Sequence, residues 1–474
     1  MTVINRLAEW AAETPAKWSD VALERAEHGI EDVFACLVAG ASDEAAARVR
    51  SAIAPWGEGT SSVVGQRKSA APPWAALANG TAAHALDYDD ILRPAVTHAT
   101  AVLFPALLAL AEEIDASGAA LLDAYVVGLE MQAAVGRGVN RSHYDAGWHA
   151  TSTIGCIGAA AACGRLLGLD TARMGHAMSL SVSMASGPKV QFGTMAKPFH
   201  AGMAAQHAVM AATLARAGLE ARDTALEGGL GFLPLYGGPD PLGWDSVLPR
   251  LGEPLAIEKP GLCFKRHPCC GSTHLILDCI IDLQREHGFT AEDVAGVDTL
   301  IGTVNKRNLM YDNPQNEMQA RFSLQYCVAV ALLNARLTLA DFTPAAVTRP
   351  AVCRLLKLTS IRTHDPAEEP ADADTRLPHS VEITLNNGQR LSASREHPRG
   401  SMFDPFDDSD RAQKFSDCCE GILAPASLTA ARGQLAKLRD LDSLRTLAAH
   451  LRFDAIADHG ERFLQNRTKA AMGD

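Results

Sequence analysis

The chain has 474 residues, 47% hydrophobic and 21% charged, the balance of a globular protein long enough for two cores. A formal charge of −12 counts against nucleic acid or an anionic membrane surface as partner, but not against an anionic substrate in a locally basic pocket. The eleven cysteines are scattered without zinc-knuckle spacing, no apolar run reaches membrane-spanning length without a charge or turn residue, and the opening Met1-Thr2-Val3 lacks a signal pattern, so a cytoplasmic protein with reduced thiols is expected.

In chain order, residues 3 to 55 read as two or three amphipathic helices, with Ile30, Val33, Phe34, Leu37 and Val38 at helical spacing and Pro15 and Pro55 as punctuation. A short extended piece falls at Ser61 to Val64. Helices are predicted over Ala101–Ala116, Ala119–Gly136, Thr151–Leu167, Thr171–Ala185 and Ala201–Ala217, many with small-residue faces that allow close packing. After Pro268 the pattern changes. Residues 294 to 304 and 354 to 364 are rich in β-branched side chains. Ser380–Leu385 and Gln389–Ser394 flank Asn386-Asn387-Gly388, a hairpin turn signal. Helices at Ser272–His287 and Phe322–Ala335 share this region, and helical pattern returns at Asp408–Cys419 and Asp440–Arg452. The fold class expected is mainly α with an α+β second domain: residues 1–267 and 396–474 build a helical domain, and 268–395 form a smaller inserted α+β lid. Two crossings between domains imply a cleft, a favoured place for a ligand.

The stretch Asn79 to Asp90 carries His84, Asp87, Asp89 and Asp90, and a helix through it would set His84 and Asp87 on one surface. Such a cluster serves proton chemistry, or it is a helix cap followed by a solvated acidic turn. His149 precedes a helix; Thr151 or Ser152 caps that helix and His149 is incidental, or imidazole and helix amides together receive a carboxylate. Lys197, next to Pro198 and among apolar residues, suits pairing with a substrate carboxylate. Lys265 and Arg266 are cations at the expected domain boundary. Cys269 and Cys270 are buried small hydrophobes or include one proton-transferring thiol. Arg321 could hold a carboxylate and Tyr326 could donate a proton. The sixteen histidines include no HExxH or His/Cys metal spacing, so no metal is expected.

Six segments in order, NGTAAHALDYDD at 79–90, HATAVLFPALLALAE at 98–112, GWHATSTIG at 147–155, KPFHAGMAAQHA at 197–208, KRHPCCGSTH at 265–274 and ARFSLQY at 320–326, resemble the MmgE/PrpD family. The resemblance implies the same split into a helical domain and an α+β lid, usually in a homodimer. It implies action on small polycarboxylates without a cofactor, as in 2-methylcitrate dehydratase, cis-aconitate decarboxylase and iminodisuccinate epimerase. Carried over by position, the active-site set is Asp87, His98, His149, Lys197, Lys265 and Tyr326. Cys270 departs from the decarboxylase-like pattern, which has histidine there, and fits an epimerase-like Cys-Cys version.

The chemistry expected is removal of a proton beside a carboxylate. His149 would be the base and Asp87 would orient a histidine. Tyr326 or Cys270 would be the acid, and Lys197, Lys265 and Arg321 would neutralise the developing charge, with His98 in substrate binding. A dehydratase-like hydro-lyase is the first expectation. An epimerase or isomerase on a related dicarboxylate, and a polycarboxylate-binding protein without turnover, are the alternatives.

Overall fold

The structure, a computed structural model, describes residues 1–370 and 377–455. The fold is mainly α with an α+β portion. The end of the expected helical segment, 456–474, and residues 371–376 of the expected lid lie outside the described residues.

Buried apolar residues form two clusters. The larger runs from Ile4 through the first eleven α-helices and takes in Phe415, Leu435 and Leu447 near the other end of the chain. The smaller gathers Ile276, Ile280, Val297, Val328, Val381 and Ile383. Burial on this scale is the dominant stabilising term, about 25 cal/mol for each Å² of apolar surface taken from water.

Close helix crossings position the site. The Pro72–His84 helix starts on two prolines, whose missing N–H groups cost nothing in a first turn. It crosses the Ala196–Arg216 helix at Gly80 and Gly202. A Cβ at Gly202 would stand 2.2 Å from the Leu77 carbonyl oxygen, and one at Gly80 2.8 Å from Gly202 Cα. Only glycine lets these two backbones approach so nearly. His84 ends one helix and Lys197 opens the other, so the crossing sets their separation. The Gly118–Val139 helix is long and apolar enough to cross a membrane, but 83% of its most apolar window is buried inside the fold.

The second portion is built on a four-stranded sheet in the order Thr359–Thr363, Val294–Ile301, His379–Leu385, Arg390–Arg395. The first pair is parallel and the other two are antiparallel. Val297, Thr299 and Ile301 alternate inward, the period-2 signature of a half-buried strand, and a bulge between Val294 and Gly296 turns Val294 inward too. The predicted hairpin forms, with Gly388 at φ 84°. The His274–His287 and Leu324–Asn334 helices pack beside the sheet. A two-stranded antiparallel ribbon, Ile91–Leu92 with Leu262–Cys263, ties the loop after Asp90 to the entry into the second portion.

Four sequence expectations change. The Ala201–Ala217 helix starts earlier, at Ala196, because Pro198 is tolerated inside a first turn. The extended stretch expected over 354–364 splits: Pro350 opens a short helix, Pro350–Leu356, and only Thr359–Thr363 is strand. The expected Asp440–Arg452 helix shrinks to Arg445–Ala448 with a 3₁₀ turn, and an unexpected helix spans Pro425–Leu435. The helix expected through Asn79–Asp90 stops at His84.

Candidate active site

A cavity of about 190 Å³ lies between the two portions. Asp87, His98, His149 and Lys197 line it from the helical side. Cys270, Ser272, Gly302, Asn305, Asn308 and His379 line it from the other.

The loop after His84 makes the floor. Asp87 takes a left-handed backbone, φ 50°, which an aspartate tolerates better than most residues. The loop's three buried carboxylates, Asp87, Asp89 and Asp90, then serve separate partners. Asp87 Oδ1 is 2.8 Å from Lys197 Nζ and 3.0 Å from Lys265 Nζ, and Lys265 also donates to the Asp87 carbonyl at 2.7 Å. Asp89 accepts from His84 Nδ1 at 2.9 Å and lies 3.3 Å from His98 Nδ1. Asp90 accepts from the backbone N–H and hydroxyl of Thr100.

Lys197 also donates to His84 Nε2 at 2.7 Å. That nitrogen therefore carries the lone pair and Nδ1 the proton, which it gives to Asp89. Lys197, His84 and Asp89 form one directed chain of hydrogen bonds. Burial, with the charges of Lys197 and His98, holds His84 down at about 3 against the pull of Asp89, so its imidazole is neutral. Burial would raise Asp87, but Lys197 and Lys265 outweigh it and hold the carboxyl well below its usual range. A lysine at a helix N-terminus opposes the helix dipole, and Asp87 is what offsets that.

His98 and His149 occupy the same place on neighbouring helices, the residue just before the first turn of Ala99–Ile114 and of Ala150–Leu166. The capping expected of Thr151 does not occur; its Oγ1 accepts the His98 backbone N–H at 3.0 Å and so locks the two helix starts together. His149 is 1% exposed. Its Nδ1 lies 3.1 Å from His200 Nδ1, and its Nε2 has no partner among the described residues. Burial first, then the positive field of Lys197, holds it well below the ordinary histidine value. It is a neutral imidazole with one bare nitrogen at the cavity.

Cys270 lines the cavity as expected for a site thiol, and its N–H donates to the Arg321 carbonyl at 3.0 Å. Burial and the nearby Asp87 push the thiol up to about 11, so it keeps its proton at neutral pH.

Three expected residues do not face the cavity. Lys265 lies beneath Asp87, 1% exposed, and acts on the site through that carboxylate. Arg321 is buried with its guanidinium 5.3 Å from the Phe342 ring centre. Tyr326 turns into the second core and gives its hydroxyl proton to the Asp341 carbonyl, because its helix presents that face to Phe342 rather than to the cleft. Tyr326 as acid and Arg321 as carboxylate ligand are therefore withdrawn. Residues the sequence reading missed include Arg93, Arg141, Ser272 and His379 on the cavity wall. Arg141 pairs with Glu369 at 3.2 Å.

His84, Asp87, Asp89 and His98 bring one ligand atom each within 4.8 Å of one another, a set that could hold a metal ion. Lys197 and Lys265 already place two ammonium groups on Asp87, the positive charge a metal would otherwise supply there.

Residues 5–245 match the MmgE/PrpD N-terminal domain and residues 267–436 the MmgE/PrpD C-terminal domain. The chain belongs to the MmgE/PrpD family. Similar proteins include the cis-aconitate decarboxylase of Mus musculus, 30% identical over 405 residues, covering 82% of this chain and 80% of the relative. That of Homo sapiens is 30% identical over 410 residues, 83% and 82% of the two chains. That of Aspergillus terreus is 27% identical over 435 residues, 84% and 85%. Lyase is the class of enzyme that these MmgE/PrpD relatives support. They bear the name of a decarboxylase, not of the dehydratase that the sequence motifs first suggest.

Proposed function

We propose that this MmgE/PrpD chain is a cofactor-independent lyase that moves a proton at a carbon beside a carboxylate of a small polycarboxylic acid. The observation that carries the reading is His149 Nε2, a buried neutral imidazole nitrogen with no partner among the described residues, at a cavity shared with the Asp87–Lys197 pair. In the tautomer that gives Nδ1–H to His200, this nitrogen is a ready base, and Lys197 stands where an enolate-like carboxylate would need positive charge. In dehydration of a citrate-like hydroxy acid, Nε2 takes the carbon-bound proton. The C–H electron pair becomes the new double bond, and the hydroxyl leaves as water with the proton of the Cys270 thiol.

The similarity to cis-aconitate decarboxylases favours a second reading. There the C–C bond to a carboxylate breaks, its electron pair stays on the carbon skeleton, and carbon dioxide leaves. The Cys270 thiol or a site histidine then supplies the proton that the carbon takes up. Cys270 is a group that would re-protonate the opposite face in an epimerase. Proton NMR in heavy water separates these outcomes with citrate-like, aconitate-like and aspartate-derived acids. New alkene signals with loss of water mark the hydro-lyase, and carbon dioxide release marks the decarboxylase. Deuterium uptake without net product marks the epimerase. Binding without any of these would leave a non-catalytic relative and sink the lyase reading. A homodimer is part of the proposal, and light scattering at micromolar concentration tests it.

A further inference from the structure

His379 opens the strand His379–Leu385 and reaches the cavity from the sheet, 3% exposed. The Gly302 N–H donates to its Nε2 at 3.1 Å. Gly302 directly follows the neighbouring strand Val294–Ile301, so the backbone of the sheet fixes which nitrogen accepts. A neutral imidazole has one lone-pair nitrogen and one N–H, so the proton sits on Nδ1. That Nδ1 has no partner among the described residues.

The side-chain amides on this wall are engaged. Asn305 and Asn308 both donate to Ser272 Oγ, at 3.2 and 3.3 Å, and Asn308 Oδ1 accepts from Tyr144 at 3.2 Å. Arg141 is held by Glu369 and by the Pro370 carbonyl, at 3.2 and 3.1 Å. The His379 Nδ1–H is thus a prearranged donor with no acceptor among the described residues. A buried donor without an acceptor is costly, and an oxygen atom of a bound acid would remove that cost.

We propose that His379 is a substrate-recognition residue whose Nδ1–H donates to an oxygen of the carboxylate furthest from the reacting carbon of a bound polycarboxylate. The inference rests on the polycarboxylate reading above and adds to it a subsite on the sheet side, facing the His149 and Lys197 wall. His379 acts here as a neutral donor and does not exchange protons. Charging it would cost the bond from Gly302, and burial, with a smaller contribution from His364, lowers it to about 4.

Two variants separate recognition from support of the fold. In His379→Gln the amide oxygen falls near the Nε2 position and keeps the acceptor for Gly302, but the Nδ1 donor is lost. In His379→Asn an amide N–H falls near the Nδ1 position, and the acceptor is lost. Tricarballylate, which has no hydroxyl to eliminate, is the probe in calorimetric titrations of the full chain. His379→Gln should weaken binding about ten- to a hundredfold, the value of one hydrogen bond to a charged group, with an unchanged melting temperature. His379→Asn should bind within about twofold of the unmodified chain but melt lower. The reverse pattern, or unchanged binding in a well-folded His379→Gln, overturns the proposal and leaves the polycarboxylate reading standing. If the unmodified chain ignores tricarballylate at millimolar concentration, that reading falls and this inference with it. Should His379→Gln not fold, ¹⁵N-histidine NMR of the unmodified chain decides. The His379 signal must show the Nδ1–H tautomer and shift on adding tricarballylate, and a signal that stays put rejects the donor role.

Discussion

Lys197 Nζ sits 2.8 Å from Asp87 Oδ1 and 2.7 Å from His84 Nε2, so one buried ammonium joins a carboxylate to an imidazole. Lys265 reaches the same carboxylate from below at 3.0 Å. Asp87→Ala would leave two buried ammonium groups without their anion. It should cost about 3 kcal/mol in urea unfolding, the lower end for breaking a buried pair. The folded Asp87 carboxyl is depressed, so its stabilisation is complete above the unfolded value near 3.9 and is lost only as pH falls through the lower folded value. The stability gap between the parent and Asp87→Ala should stay constant from about pH 8 to 5 and close below about pH 4.

His149→Ala should reduce turnover at least about a hundredfold, within the usual contribution of a positioned base. In the parent chain, burial and Lys197 keep His149 unprotonated well below the ordinary histidine value. A pH profile of kcat/KM should therefore be level down to about 6.5 and fall only beneath it. An acid limb centred above 7 would mean that another group is the base.

Among eleven cysteines, Cys353 is exposed and the others are buried. Iodoacetamide at pH 7.5 should label Cys353 first. Cys270 should resist until the pH nears 11, where its thiolate forms. Peptide mass mapping over a pH series reads this directly. Rapid labelling of Cys270 at pH 7.5 would remove it as a protonated donor.

Gly202→Ala should destabilise the fold by about 1–3 kcal/mol, because the added methyl meets the Leu77 carbonyl and a packed core yields little. The same change should lower turnover beyond its effect on stability, since it pushes apart the helices that bear His84 and Lys197. A mutant with normal melting and normal rate would show that the crossing has slack.

With two lysines on Asp87, a chelator should leave both activity and melting temperature unchanged, and added divalent cations should not raise the melting point. A rise of several degrees with one particular ion would show that the His84, Asp87, Asp89, His98 group binds metal.

Helices with long small-residue or amphipathic patterns, such as Asp20–Gly40 and Gly118–Val139, were legible because periodicity and burial point the same way. So was the Asn-Gly hairpin, whose turn chemistry is local. The histidine and lysine motifs identified the helix starts that line the cavity. What could not be read was orientation across the chain. Nothing near Tyr326 tells that its hydroxyl meets the Asp341 carbonyl, and nothing near Lys265 tells that it lies beneath Asp87 and not beside it. His379 is a strand-opening histidine like many others, and only its pairing with Gly302 and the cavity gives it a role. The first half of the Pro72–His84 helix, ahead of Asn79, goes unmarked in the sequence because the helix is buried on every side and no stripe shows.

Lys414, from the Asp408–Cys419 helix, donates to the Tyr88 carbonyl at 2.7 Å and pairs with Asp32 at 2.6 Å. It grips the loop bearing Asp87 and Asp89 from a position more than three hundred residues later in the chain. During synthesis that loop lacks this particular clasp until residue 414 leaves the ribosome. Nascent chains stalled before that point should be catalytically silent even where their early helices have already folded.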